Sequence, residues 1–440
     1  SPEDIRYSTV RYVASTTRNA MGPSVSDPRT GEIIESDIIW YHNHIKSYRN
    51  RYLLETGAAN PKARTLNTPE EEMGEMMRQV IAHEIGHALG LPHNMKASSA
   101  YAVDSLRSGN FTQKYGIAST IMDYARYNYV AQPGDKNIRF IRQLGPYDDY
   151  SIEWGYRFFN KSPDEEKDIL KKFVDEKSLD PLYMFGGYGN DPNSQTENIG
   201  NDPVKASIYG INNLKIVAKN LSEWTVGPNE NYEELNELYG ELVGVYRRYI
   251  YHVHSLIGGI YDTPHNKNQK GIVRYVNVNF EKQNEALRFL EKNLWETQNW
   301  LMEKKLISQI KDEGVLNSIQ GLQLSSLNRF LNVDKLNRML SAQETLKGNA
   351  LSVNDLIESL FESLIKRPST NPDISEQRLQ LYFIERIDLL INDIKLNPVI
   401  KSKLSNTKNK IYKFAKRMSK TPLKNKDIKA HFKYLKNLGE

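Results

Sequence analysis

Cysteine is absent from the 440 residues, which excludes disulfides, thiolate nucleophiles and cysteine-ligated metal. Its absence does not fix a compartment, because many extracytoplasmic bacterial proteins also lack disulfides. No run of about 18 apolar residues occurs, so no segment reads as a membrane-spanning helix. The chain opens Ser1-Pro2-Glu3-Asp4 with neither an initiator Met nor a signal-peptide pattern. The reading is a processed chain or an excised fragment, with any targeting segment upstream. Fixed-period repeats and low-complexity stretches are missing too.

What is present is ordinary for a soluble globular protein, with 39% hydrophobic and 26% charged residues, and the length allows two or three domains. The net charge of +5 is unevenly spread. Residues 401–440 hold 13 Lys and Arg against 2 Asp and Glu, whereas the rest of the chain is net acidic. The basic character therefore belongs to the tail. With no interleaving of basic and aromatic residues there, no nucleic-acid partner is expected.

Residues 5–13 alternate and are rich in Tyr, Val and Thr, which predicts a strand. A second strand is expected at 23–26, the turn Asp27-Pro28-Arg29-Thr30-Gly31 follows, and a third strand covers 32–41. Glu35 and Asp37 among its isoleucines suggest a partly solvated edge strand. A helix is expected from Thr68 to about Leu89, with Thr68 as N-cap, Pro69 at the first helical position and Glu71 completing a capping box. Gly90 and Pro92 stop it. Met77, Ile81, Ile85 and Ala88 fall on one side, roughly opposite His83 and His87, so one side packs while the other presents ligands. A further helix is expected at 150–158. Residues 185–203 read as a long loop. From 205 the pattern is helical at 205–224, 231–256, 280–303, 374–396, 405–420 and 424–438, with shorter helices between 314 and 367.

The stretch that carries chemistry is His83-Glu84-Ile85-Gly86-His87-Ala88-Leu89-Gly90-Leu91-Pro92-His93. Two histidines four apart project from one helical face and can share a metal. Gly90 lets the chain turn back and deliver His93 as a third ligand. Three neutral imidazoles leave the fourth position of Zn²⁺ open for water, the mark of a catalytic rather than a closed structural site. Glu84, beside the first ligand, is placed to take the water's proton and pass it to a leaving amine.

This motif, followed 29 residues later by Met122, resembles that of the metzincin metallopeptidases. The resemblance implies His83, His87 and His93 as zinc ligands, Glu84 as general base and Met122 as the residue of a tight turn beneath the metal. Tyr124 stands as in the astacin and serralysin branches, where such a tyrosine approaches the zinc and stabilises the tetrahedral intermediate. Segments such as Gly22-Pro23-Ser24-Val25, Leu89-Gly90-Leu91 and Gly145-Pro146-Tyr147-Asp148 look most like large bacterial zinc-dependent metalloproteases with a long helical C-terminal region. Motif-level likeness covers roughly residues 5–158. Asn94 after the third histidine differs from matrixins, adamalysins and astacins, so their substrate rules do not transfer.

The implied fold class is α+β. A metzincin-like catalytic domain spans 1–160, with a twisted sheet, the active-site helix and a Met-turn, and its first strand and helix are expected upstream. A loop-rich linker covers 161–204, and a mostly helical domain covers 205–440 with one β-hairpin near 260–279. The strand at 32–41 would be the edge against which a peptide lies antiparallel. The implied activity is a zinc-dependent endopeptidase acting on peptides or proteins, in an extracytoplasmic location (periplasmic, cell-surface or secreted). Two alternatives stand beside it: a binding or scaffold protein with an occluded zinc site, and a zinc aminopeptidase, which would need a glutamate ligand in place of His93.

Three other groups carry weaker signals. His42 and His44, two apart at a strand end, are candidates for a second metal. Asp191, Asn193, Gln195, Glu197 and Asp202 offer oxygens at alternating spacing, making Ca²⁺ a candidate cofactor, although Thr196 stands where an EF-hand needs glycine. Ile411, Phe414, Ala415 and Met418 form an apolar stripe opposite a lysine-rich face, read as a packed helix with a solvated side or a contact with an anionic surface. His252 and His254, two apart on a helix, point apart and make a poor ligand pair, and His265 and His431 read as structural.

Overall fold

The computed structural model describes residues 4–310, 312–346, 349–368, 371–423 and 425–439. It divides into two compact units, one of residues 1–252 and 261–275, the other of residues 253–260 and 276–440. The boundary expected near 204 falls inside the first unit.

In the first unit, β1 (Val10–Val13), β2 (Ala20–Met21), β3 (Ser24–Ser26), β4 (Ile33–Ser36) and β5 (Ile38–Tyr41) form two small sheets. The order β1-β5-β2 makes β5 the central strand, parallel to β1 and antiparallel to β2, while β4 pairs with β3 in a separate two-stranded sheet. The single strand expected at 32–41 is thus two strands broken at Asp37. The reason is polar: the Asp37 carboxylate accepts the Thr9 N–H (2.8 Å) and pairs with Arg11 (2.6 Å). Its second half has both edges occupied, which removes it as a place for a peptide.

Helix α1 (His44–Thr56) follows, then α2 (Glu70–Ala88), α3 (Gly109–Tyr115), α4 (Pro146–Tyr156), α5 (Pro163–Lys177), α6 (Pro203–Thr225) and α7 (Glu233–His254). Helix α5 lies in the segment expected to be a loop-rich linker, and its start is legible: Ser162 accepts from the Glu165 N–H in a capping box with Pro163 at the first helical position. Asp202 caps α6 likewise, receiving the N–H groups of Val204 and Lys205. The box expected at α2 does not form. Pro69 is the cap residue and Thr68 makes no cap bond, leaving Glu70, Glu71 and Glu72 to complement the helix dipole.

The core under the sheet joins Ala20, Trp40, Tyr48, Tyr52, Met76, Val80, Tyr127 and Ile141, with Met73, Met77 and Ile81 packed against it. The sidedness expected for α2 therefore needs correction. Its fully buried residues are Met76, Gln79, Val80, His83, Glu84 and Gly86, whereas Ile85 is 44% exposed. Ile85 and Ala88 instead line a shallow groove with Val10, Ile33 and Ile38.

The hairpin β6 (Ile260–Asp262) and β7 (Tyr275–Asn277) appears where expected. The second unit is helical, with α8 (Phe280–Leu290), α9 (Lys304–Ile307), α10 (Asp312–Phe330), α11 (Val333–Leu346), α12 (Val353–Phe361), α13 (Ile374–Asn392), α14 (Pro398–Lys420) and α15 (Lys426–Gly439). Residue 424, expected to begin the last helix, lies outside the described residues. In α14 the residues Ile411, Phe414, Ala415 and Met418 are buried, as the apolar stripe requires.

Among the described residues no helix is long and apolar enough to cross a membrane.

Candidate metal centre

Helix α2 carries His83, Glu84 and His87 on its last two turns, and its end brings in His93. Gly90 adopts φ +86°, a left-handed conformation open to glycine at little cost. The chain reverses there, so that the Leu91 N–H reaches the Gly86 carbonyl at 2.9 Å. The three Nε2 atoms then converge: that of His93 lies 3.2 Å from that of His83 and 3.0 Å from that of His87. These are the only three His, Cys, Asp or Glu side chains grouped closely enough to share an ion among the described residues.

The donor set fits zinc, and the test is what the other ring nitrogens do. Nδ1 of His83 lies 2.8 Å from the Ile121 carbonyl, and Nδ1 of His87 lies 2.8 Å from the Leu91 carbonyl. A carbonyl only accepts, so Nδ1 must carry the proton and Nε2 must present its lone pair to the shared point. Burial, with the nearby Arg142 cation, holds the His83 pKa well below its ordinary value; burial and the neighbouring His87 bring His93 to about 4. Both rings are neutral at pH 7, as metal binding requires.

Met122 is fully buried under this cluster. A Cβ placed on Gly86 would sit 2.2 Å from the Met122 Sδ, so a glycine in mid-helix allows turn and helix to touch. The Tyr124 ring packs 4.5 Å from His93 and 5.5 Å from His83, centroid to centroid, and the Arg126 guanidinium lies over the ring at 5.7 Å. Burial pushes the Tyr124 phenol up to about 12, so it is a neutral donor at pH 7. Asn94 is buried and structural: its N–H donates to the Met122 carbonyl, and its side chain ties Met184 and Gly186 to the same place.

Glu84 is 7% exposed. Burial raises its pKa to about 7, against the N–H of Gly22, which donates to its carboxylate. Gly22 approaches so closely that an added Cβ would lie 2.6 Å from the Glu84 backbone oxygen. Sequence reading gave Gly22 no role at the site.

The weaker groups do not assemble. His44 begins α1 rather than ending a strand, and its buried ring packs edge-on against Trp40 and Tyr48, while His42 contacts Tyr12. In the 191–202 loop the carboxylates are taken by protein cations or helix caps. Asp191 pairs with Lys96 at 2.7 Å, and Glu197 pairs with Arg51, Arg126 and Arg248 at 2.9, 2.7 and 2.5 Å. With Asp202 capping α6, the Ca²⁺ expectation has no support.

No curated protein and no solved structure matches the chain. The Met-zincin family model matches residues 65–371, more than half of the sequence and all of the metal cluster and its turn, and the chain belongs to the Met-zincin family.

Proposed function

We propose that this protein is a zinc-dependent endopeptidase in which His83, His87 and His93 hold the metal and Glu84 is the general base. Family membership implies zinc binding and peptide or protein substrates. The observation that carries the reading is the convergence of three imidazole Nε2 atoms, two of the rings with their tautomer set by a backbone carbonyl, beside a buried carboxylate. Zinc in such a site supplies Lewis acidity towards a peptide carbonyl and water.

The protein's own groups supply the rest. Glu84, oriented by Gly22, accepts a proton at its carboxylate and returns it to the departing nitrogen. The Tyr124 hydroxyl donates a hydrogen bond to the oxygen on which negative charge develops. Among the described residues β2 is an edge strand of its sheet, and it continues into Gly22 beside Glu84, so an extended substrate adds there through main-chain hydrogen bonds. His87 and His93 are only partly buried, which favours an accessible site over an occluded one. Among the described residues the ion-sized group holds His93 and no glutamate, which favours the endopeptidase over the aminopeptidase reading.

The test compares the full chain with Glu84→Gln in a digest of a proteome-derived peptide library, with zinc content measured on both. Cleavage at internal bonds that disappears in Glu84→Gln at unchanged zinc content is expected. Full cleavage by the zinc-loaded variant would refute the assignment.

A further inference from the structure

The turn that underlies the histidines is gripped from two sides by residues that touch neither metal nor substrate. On one side stands Asp148, buried in the first turn of α4. Its Oδ2 accepts the N–H groups of Ile121 (2.9 Å) and Gly145 (2.8 Å), and its Oδ1 accepts the Thr120 hydroxyl. The same hydroxyl oxygen accepts the Met122 N–H at 3.0 Å.

On the other side stands Arg142, 2% exposed. Its guanidinium donates to the Ile121 carbonyl at 3.0 Å and to the Asp123 carbonyl, so it brackets Met122, and its Nε reaches Gln79 Oε1 on α2 at 3.3 Å. Among the described residues no carboxylate oxygen lies within ion-pair distance of Arg142. Burying this cation is costly; no carboxylate among the described residues touches it, although Glu84 and Asp123 both feel its charge, and its hydrogen bonds go to two carbonyls of the turn and to Gln79. One of them, the Ile121 carbonyl, also accepts the His83 Nδ1–H at 2.8 Å. A carbonyl oxygen has two lone pairs, so both donors are accommodated, and the group that orients the first metal ligand is itself fixed.

We propose that Arg142 and Asp148 are positioning residues of the metal centre, clamping residues 120–123 so that the Ile121 carbonyl holds His83 in its metal-binding orientation. The proposal rests on the zinc reading above. Partners of this kind typically change metal affinity by 10–100-fold.

The experiment measures the zinc dissociation constant of the full chain by competition with a chromophoric chelator, together with thermal melting of the metal-free protein. Arg142→Gln and Asp148→Asn are expected to melt cooperatively and to bind zinc about 10–100-fold more weakly. Arg142→Lys is expected to behave like Arg142→Gln, because Nη1 serves both carbonyls while Nε holds Gln79, and the single nitrogen of a lysine cannot fill both places. Asp135→Asn, which removes the partner of Arg107 elsewhere in the same unit, should lower the melting temperature and leave zinc affinity alone. Should Asp148→Asn fail to fold, Thr120→Ala tests the same side, with a loss of about threefold or more expected. Folded variants that bind zinc within threefold of wild type would overturn the clamp, as would full retention of affinity by Arg142→Lys. A wild-type chain that takes up no zinc would overturn the proposed function and the clamp together, whereas tight wild-type binding with unaffected variants sinks the clamp alone.

Discussion

Gly22→Ala isolates the positioning of Glu84 from metal binding. The new Cβ would lie 2.6 Å from the Glu84 backbone oxygen and 3.3 Å from its carbonyl carbon. Those atoms belong to a helix that cannot rotate away, so the strand segment must retreat by somewhat under 1 Å to reach normal contact. β2 is only two residues long and Met21 is 38% exposed, so the retreat should cost stability little. It does, however, weaken the Gly22 N–H bond to the carboxylate. A hydrogen bond to a charged group is worth about 1.5–3 kcal/mol, and a misplacement of about 1 Å in a catalytic group can cost on the order of 10²-fold. Both estimates put the loss in kcat/KM at roughly 10–100-fold, or about 1.4–2.7 kcal/mol in the barrier. Steady-state cleavage of a fluorogenic peptide chosen from the library digest measures it, with zinc content and melting temperature followed in parallel. A kcat/KM within threefold of wild type would refute the reasoning. So would a parallel loss of zinc, because the predicted damage lies at the base and not at the ligands.

Two further outcomes follow from contacts elsewhere in the unit. In Gly86→Ala the helix gains about 1 kcal/mol of propensity, but the methyl overlaps the fully buried Met122 Sδ, and overpacking of this kind costs about 1–3 kcal/mol. Chemical denaturation should show a net loss of about 1 kcal/mol that Met122→Ala relieves in the double variant; additive losses would contradict the overlap. His44 is held at about 4 by burial and by the nearby Arg126 cation, while in the unfolded chain it titrates near 6.5. Between those values the unfolded state binds more protons, so stability is lost as pH falls from about 6.5 to 4, by at most about 1.4 kcal/mol per pH unit. Urea denaturation of His44→Phe across that window should give a shallower slope than wild type, and an identical slope would remove His44 as the cause.

The metal motif was legible because it depends on short-range geometry: four residues along a helix and a glycine bend bring three imidazoles together wherever the sequence occurs. What was not legible depends on long-range partners. Helix α1 escaped notice because it has no polar face to alternate with. Asn50 and Glu55 are as buried as Tyr52 and Leu54, and they are paid for by Glu241 and Arg51. The oxygen-rich loop at 191–202 suggested a cation and found one, but the cations are Lys96, Arg51, Arg126 and Arg248, supplied from far along the chain. The sidedness of α2 was misjudged for a related reason: hydropathy marks Ile85 as interior, yet at that level of the helix the turn at Met122 and the strand at Gly22 lie against Gly86 and Glu84, and the ligand side is the buried one.

The same distinction separates the two histidines on the helix. His87 is oriented by the Leu91 carbonyl, four residues away and placed by Gly90, so its geometry travels with the motif itself. His83 is oriented by the Ile121 carbonyl, 38 residues away, and no feature of residues 83–93 supplies that acceptor. A helix carrying the motif without the turn would keep one correctly fixed imidazole and lose the other to rotation about its side-chain bonds. This gives the methionine turn a physical function beyond filling space beneath the three histidines. Met122 packs against Gly86 and sets the distance between turn and helix, while the residue before it delivers the hydrogen bond that orients His83. Damage to the turn should therefore be felt first at His83, as weaker metal binding by a protein whose helix α2 is intact.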